Sequence, residues 1–301
     1  EYTITVTDIN GCTASSSYTI TEPELLEVEQ IPSDINGWGV TCFGDEDGFI
    51  QTTVTGGNIN GDYAYQWTDQ NGNIISEEDN ITQIGAGTYT VLVTDINGCT
   101  ASSSYEIEQP PGEIVIQTTP SEYNGYSMEC YNDNNATIST IVTGGNTSAP
   151  YSYQWTDENG NIISEEDNVD QLAAGQYTIT VTDISGCDEQ ATVTITEPAL
   201  LEVEQVPSEY NGYSMECYND NDATISTIVT GGNINGEYAY QWTDQNGNII
   251  SEEDNIDQLA IGEYTITVTD INGCTASSSY TITEPELLEV EQIPSDINGW
   301  G

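Results

Sequence analysis

No lysine, arginine or histidine occurs in these 301 residues, against 51 aspartates and glutamates. That absence removes whole classes of chemistry: no imidazole base, no Schiff-base lysine, no lysine-dependent isopeptide crosslink and no arginine clamp for phosphate. A basic footprint for nucleic acid is missing as well, and a net charge of −51 repels polyanions and anionic membrane surfaces. Long apolar runs are absent too. None approaches the roughly 18 to 20 residues needed to span a bilayer, so no membrane insertion is expected in this stretch. Phenylalanine and methionine occur only twice each, which leaves valine, isoleucine, tyrosine and tryptophan to build a core.

What is present is repetition. Glu1 to Gly39 reappear letter for letter as Glu263 to Gly301, an offset of 262 residues. Cys12, Cys99, Cys187 and Cys274 lie 87, 88 and 87 residues apart, and Cys42, Cys130 and Cys217 keep the same step. Both ends of the sequence are therefore expected to fall inside a repeat. Residues 1–22 would complete one, 23–110, 111–197 and 198–284 would be whole repeats, and 285–301 would open the next. Copies of one module favour a stalk, filament or adhesin over an enzyme, which needs a single assembled site. The expected class is non-enzymatic, and the first partners of each repeat are its neighbours in the same chain.

Such acidity can signal disorder, but alternating Val, Ile, Thr and Tyr between turn residues predicts folded strands. In the repeat from Pro23 to Pro110, Leu25 to Ile31 reads as a first strand with Leu26, Val28 and Ile31 inward. Val40 to Cys42 is a short second segment, followed by an acidic loop and the strand Phe49 to Thr55. Tyr63, Tyr65 and Trp67 then alternate along one face, making Trp67 a core anchor with Trp155 and Trp242 as counterparts. Trp38 and Trp300 are placed nearer a repeat end. The run Ile84-Gly85-Ala86-Gly87-Thr88-Tyr89, echoed before Tyr177 and Tyr264, is similar to a tyrosine corner, and Asp95 to Cys99 is a hairpin turn. The predicted fold is all-β: tandem immunoglobulin-like Greek-key β-sandwiches forming an extended array.

The usual immunoglobulin disulfide would need a cysteine two residues after the corner tyrosine, where Val91, Val181 and Val268 stand instead. A bridge between the second segment and the last strand is the leading alternative. It would join Cys42 to Cys99, Cys130 to Cys187 and Cys217 to Cys274, each 57 residues apart, and contribute about 4 kcal/mol by chain entropy. Cys12 would pair with a cysteine before this stretch. Reduced thiols throughout, or a Cys99–Cys130 bridge across a repeat boundary, remain the other readings. Calcium is the one cofactor the composition invites, because it takes several oxygen ligands. The candidates are Asp45 and Asp47 in the acidic loop, Asp69, Asn71 and Asn73 in a hairpin, and Asp95 beside boundary acids such as Glu22, Glu108 or Glu197. Solvated acidic loops are the competing reading at each.

The ordered set Cys42-Phe43-Gly44, Asp47-Gly48, Thr55-Gly56-Gly57, Tyr63-Ala64-Tyr65-Gln66-Trp67, Ala86-Gly87-Thr88-Tyr89 and Val93-Thr94-Asp95-Ile96-Asn97-Gly98-Cys99 resembles the SprB-type repeat of giant surface adhesins from gliding Bacteroidota. The second and third repeats depart from it, with Asn132 and Asn219 where the glycine stands, so their acidic loops are expected to differ in shape. The resemblance implies type IX export, an extracellular place on the cell surface, and a part in adhesion or gliding motility. The expected role is a stalk or filament holding an adhesive region away from the cell. The alternative is a set of weak glycan- or surface-binding modules acting by avidity, with Tyr63, Tyr126 and Tyr213 as contacts.

Overall fold

The structure is a computed structural model and describes residues 1–58 and 60–293. Its chain divides into two compact units, Glu1–Ile116 with Val142–Tyr153 and Thr180–Gln190, and Gln117–Ile141 with Gln154–Ile179 and Ala191–Gly301. Every regular element among the described residues is a strand. No helix among them is long and apolar enough to cross a membrane. Trp300 lies outside the described residues.

In the first unit, β1 (Tyr2–Thr7) and β2 (Thr13–Tyr18) form an exposed hairpin. A two-sheet sandwich follows, built from β3 (Glu24–Pro32), β4 (Gly48–Gly57), β5 (Ala64–Thr68), β6 (Ile74–Ser76), β7 (Ile81–Ile84), β8 (Gly87–Thr94) and β9 (Thr100–Ile107). One sheet has the order β3-β4-β7 and the other β6-β5-β8-β9, so the chain changes sheet between β4 and β5 and again between β7 and β8. That crossing pattern makes an antiparallel Greek-key sandwich of immunoglobulin type. The strands alternate strictly, and the inward residues Ile50, Trp67, Ile81, Ile84, Val91, Val93 and Ile107 close on Val40 as one core. Alternation also corrects the first strand. Leu26 and Val28 face inward, but the next inward position is Gln30, whose Nε2 donates to Ser103 O at 3.4 Å, while Ile31 points to solvent.

The second repeat supplies β10 (Val115–Pro120), β11 (Ala136–Thr143), β12 (Ser152–Thr156), β13 (Ile162–Ser164), β14 (Val169–Leu172), β15 (Gly175–Thr182) and β16 (Asp188–Ile195). Its residues are distributed over both units. In the second unit, β17 (Ala199–Pro207), β18 (Ala223–Gly232) and β21 (Ile256–Leu259) form one sheet. Its partner sheet has the order β20 (Ile249–Ser251), β19 (Ala239–Asp244), β22 (Gly262–Thr269) and β23 (Thr275–Ile282). Their core gathers Met215, Ile225, Trp242, Leu259, Ile266, Val268 and Ile282.

Local chemistry explains the turns. In each Asp-x-x-Gly hairpin the glycine takes a positive φ, 82° at Gly72 and 86° at Gly98, and its N–H returns to the aspartate carbonyl. At the end of β4 the chain must bend against its neighbour: a Cβ on Gly56 would stand 1.8 Å from Leu25 O, at φ +72°. Tyr63 clamps that bend, its hydroxyl donating to Gly56 O at 2.8 Å.

Candidate functional site at the repeat junctions

The expected core residues occupy the following places. Trp67, Trp155 and Trp242 are fully buried, and Trp67 Nε1 donates to Glu78 O at 3.1 Å. The hydroxyls of Tyr89, Tyr177 and Tyr264 reach the backbone carbonyl four residues upstream, on Gly85, Ala173 and Ala260, at 3.1, 3.1 and 3.2 Å. Burial pushes all three phenols above their ordinary pKa. Of the tyrosines named as glycan contacts, Tyr63 is half-buried with its hydroxyl bound internally, and Tyr213 is exposed.

The candidate calcium ligands are engaged with their own loops. Asp69 Oδ1 accepts from Asn71 N and Asn73 N, both at 2.8 Å, and Oδ2 accepts from Asn73 Nδ2 at 2.9 Å. Those bonds, the Asn73 side chain foremost, hold Asp69 below the usual carboxylate pKa; the equivalent Asp244, held by Asn248, is lowered to about 2. Asp95 Oδ1 accepts from Asn97 N and Cys99 N, and Oδ2 from Asn58 N. Asp47 binds the amide and hydroxyl of Thr41, and Asp45 the amide of Cys42. Among the described residues no three acidic or cysteine side chains converge on a point that could hold a metal ion.

The acidic loops have one shape after all. Gly44, Asn132 and Asn219 share a positive φ of 84°, 61° and 60°, a region that asparagine tolerates. Each N–H is capped from the repeat's last residues, by Gln109 Oε1, Glu197 Oε2 and Glu284 Oε2 at 2.9, 2.6 and 2.7 Å.

The cysteines depart from the leading expectation. Cys42 is bridged to Cys187 and Cys130 to Cys274, each pair joining one repeat to the next; Cys12, Cys99 and Cys217 are free. The reason is strand length. Thr94 pairs with Thr100 at one end of the β8–β9 ladder and Gly87 with Ile107 at the other. Cys99 sits at the first end. Cys42 sits near the second, where Gly39 N donates to Glu108 O at 2.9 Å. Eight residues at about 3.3 Å each put the two cysteines about 25 Å apart, beyond any intramodule bridge. Cys130 and Cys187, and Cys217 and Cys274, fail to pair in the same way, and Cys130 is bridged to Cys274 rather than to Cys99.

Around each bridge the repeats meet through asparagines that sequence reasoning did not single out. In the first unit, the tight turn Ile35–Trp38 has positive φ at both central residues, 52° at Asn36 and 93° at Gly37. Asn36 Nδ2 donates to Ile184 O at 3.2 Å, and the fully buried Asn146 returns its Nδ2 to Asn36 O at 3.2 Å. In the second unit, Asn124 Nδ2 donates to Asn272 Oδ1 at 2.6 Å. Asn233 Nδ2 and Asn235 Nδ2 both reach Asn124 O, at 3.2 and 2.7 Å, and Asn272 Nδ2 reaches Glu129 O at 3.0 Å. Asn233, like Asn146, is completely buried, and its N–H donates to Asp270 Oδ2 at 2.7 Å. A Cβ on Gly125 would fall 2.8 Å from Asn235 Nδ2, so this turn needs glycine for both its backbone angle and its contact. The signal available in sequence was the Asn-Gly pair at the same place in every repeat.

Fold and junctions together define a class: immunoglobulin-like sandwiches in tandem, with a loop of one repeat covalently tied to a hairpin of the next. Residues 40–72 and 128–160 each match the family described as the SprB repeat. The chain is a SprB-type repeat region, and its third repeat carries the corresponding residues from Met215 onward. No curated protein matches the chain in sequence. Among solved structures it is similar to a tetra-tandem repeat in the extending region of a large adhesion protein, at 16% identity and TM-score 0.30, covering 94% of this chain and 80% of that one. A Ca2+-stabilized adhesin with which an Antarctic bacterium binds ice gives 16% identity, TM-score 0.37 and the same coverage. Drosophila OTK extracellular domains 3–5 give 14% and 0.31, covering 80% and 92%.

Proposed function

We propose that this chain is an extracellular stalk segment of a surface adhesin, a series of disulfide-linked repeats that holds an adhesive region away from the cell. The observation that carries this reading is the pair of bridges Cys42–Cys187 and Cys130–Cys274, which make each repeat transmit load to its neighbour through a covalent bond beside the polypeptide itself. Disulfides suit an oxidising extracellular setting. A chain with no lysine or arginine offers trypsin-type proteases nothing to cut. The SprB-type family supports a place on the cell surface, and export by the type IX route and a part in gliding follow from that resemblance. Divalent cations, in this reading, bind surface carboxylates weakly and without stoichiometry, because the turn aspartates are occupied by their own backbone.

A glycan and surface panel probed with the intact chain tests the reading. A spacer binds nothing on it. Saturable binding to one glycan class would instead favour multivalent binding modules. Antibody labelling of intact source cells checks the location, and absence of surface label would overturn it.

A further inference from the structure

The chain carries each half of the junction once more without its partner. In the third repeat the loop Ser208–Cys217 is already formed. Ser208 Oγ donates to Ser214 O at 2.7 Å, Tyr210 and Tyr213 pair as Tyr123 and Tyr126 do, and φ is 51° at Asn211 and 95° at Gly212, against 49° and 99° at Asn124 and Gly125. Only the surroundings differ. Tyr210, Tyr213, Glu216 and Cys217 are exposed where Tyr123, Tyr126, Glu129 and Cys130 are half-buried. A Cβ on Gly212 would meet open space where one on Gly125 would strike Asn235.

The other half stands on the first repeat. Its hairpin makes the same bonds, with Asp95 N donating to Cys99 O at 2.9 Å and Asp95 Oδ2 accepting from Asn58 N at 2.9 Å. Asn58, Asn60 and Asn97 stand at the positions of Asn233, Asn235 and Asn272, the three asparagines that grip the Asn124 turn. Yet Asn58 is only half-buried where Asn233 is completely buried, and Cys99 is exposed and free where Cys274 is bridged.

We propose that Tyr210–Cys217 is a preformed docking site whose occupant is a further repeat of this same kind, entering with a hairpin of the Asp95–Cys99 type and closing a Cys217–Cys99 disulfide. The junction is thus a recurring lock that extends the ladder by one bridge per repeat. This holds whether the array spaces or binds. Recognition comes from the asparagines: the Asn211 amide to the Asn97 side-chain carbonyl, and the Asn58 and Asn60 amides to Asn211 O. Closure removes one hydrogen from each thiol. The two electrons pass to a small-molecule disulfide, which is reduced to two thiols, so the bridge needs an external disulfide oxidant. The Asp95 charge raises the Cys99 pKa, and desolvation with the Asp220 and Glu216 charges raises that of Cys217, so closure should be faster in mild alkali.

The sequence supplies its own test. Because Glu263–Gly301 repeats Glu1–Gly39, residues 40–301 placed after Gly301 continue the chain in register. This doubled chain is oxidised with glutathione disulfide, and its monomeric fraction is mapped without reduction after cleavage at glutamate. A Cys217–Cys99 linked peptide, absent from the 301-residue chain, is expected. Titration of the denatured protein should still find three free thiols, as in the single chain. Five free thiols, or a bridge from Cys217 to any other cysteine, would overturn the proposal. Asn211→Ala in the first copy leaves every thiol in place and should slow that one bridge about fivefold, the equivalent of one lost hydrogen bond. Closure at the unaltered rate would also overturn it.

Discussion

Breaking the Cys42–Cys187 bridge should change how the chain unfolds as well as how stable it is. The perturbation is Cys187→Ser combined with Cys42→Ser, so that no odd thiol remains. The bridge spans 145 residues, a loop that the chain-entropy model values at about 5 kcal/mol, against about 4 kcal/mol for a 57-residue spacing. That difference is too small to discriminate by itself. Location discriminates. A bridge inside one repeat would restrict only that repeat's unfolded state, whereas this one ties the Thr41–Cys42 loop to the Asp183–Cys187 hairpin and acts on both sides at once. Native-state hydrogen exchange, resolved by peptide, is the assay. In the double variant, protection should fall together in residues 33–42 and 180–190, and the urea midpoint should drop. The same change should appear in the native sequence under reductant. Loss confined to one side, or a Cys42–Cys99 peptide in the native digest, would refute the reasoning.

Four further outcomes are expected. Trp67→Ala, which empties the centre of a sandwich at a fully buried position, should cost about 3–5 kcal/mol, read from thermal unfolding; an unaltered melt would remove Trp67 from the core. Gly231→Ala should cost more than about 1 kcal/mol, because its Cβ would lie 1.8 Å from Leu200 O at φ +74°, whereas the same change at Gly112, which has open space and no positive φ, should be nearly silent. Stability should peak in acid: protonating unshifted carboxylates down to about pH 4 relieves self-repulsion, whereas Asp69, Asp157 and Asp244, whose folded pKa values are depressed, stabilise the fold above their unfolded value of 3.8 and lose that contribution as pH falls toward about 2. Melting temperature measured from pH 8 to 2 checks this, and a monotonic fall from neutrality would contradict it. Calorimetry with calcium and with a chelator, at one ionic strength, should show weak binding without stoichiometry; saturable uptake of one ion per junction would reverse that reading.

The all-β class was legible because its signals are local. Alternation over five to ten residues sets a strand, and Asp-x-x-Gly sets a hairpin whether or not the rest of the chain is known. Ile31 shows where reading by residue type misleads: a strict period of two starting from Leu26 points Gln30 inward, polar though it is. Asn132 and Asn219 show that a departure from a glycine need not alter a loop, since asparagine can take the same positive φ. The junctions were hidden for a different reason. Cysteine spacing invites pairing of near neighbours in sequence, but β9 carries Cys99 away from Cys42 by its whole length. Multiplying eight residues by the rise of a strand was enough to exclude the 57-residue bridge. Only the stacking of one repeat's end on the next could supply the true partner.

The composition that excludes so much chemistry also dictates how the repeats can be joined. With no cationic side chain, no acidic residue here can find a lysine or arginine, and every carboxylate near a turn must be answered by backbone N–H groups or by neutral donors. Asparagine is the compact residue that donates and accepts from one planar group and also tolerates positive φ. It therefore serves at both faces of the junction, in the turn at Asn36 and Asn124 and in the floor at Asn146 and Asn233. Hydrogen bonds between neutral groups contribute only about 1 kcal/mol each, and like charges on adjoining repeats oppose the contact. A covalent bond at the same place offsets that weakness. The disulfide and the asparagines are thus two parts of one arrangement: the amides set the register in which a loop meets a hairpin, and the bridge keeps them there in a chain whose charge would otherwise push its repeats apart.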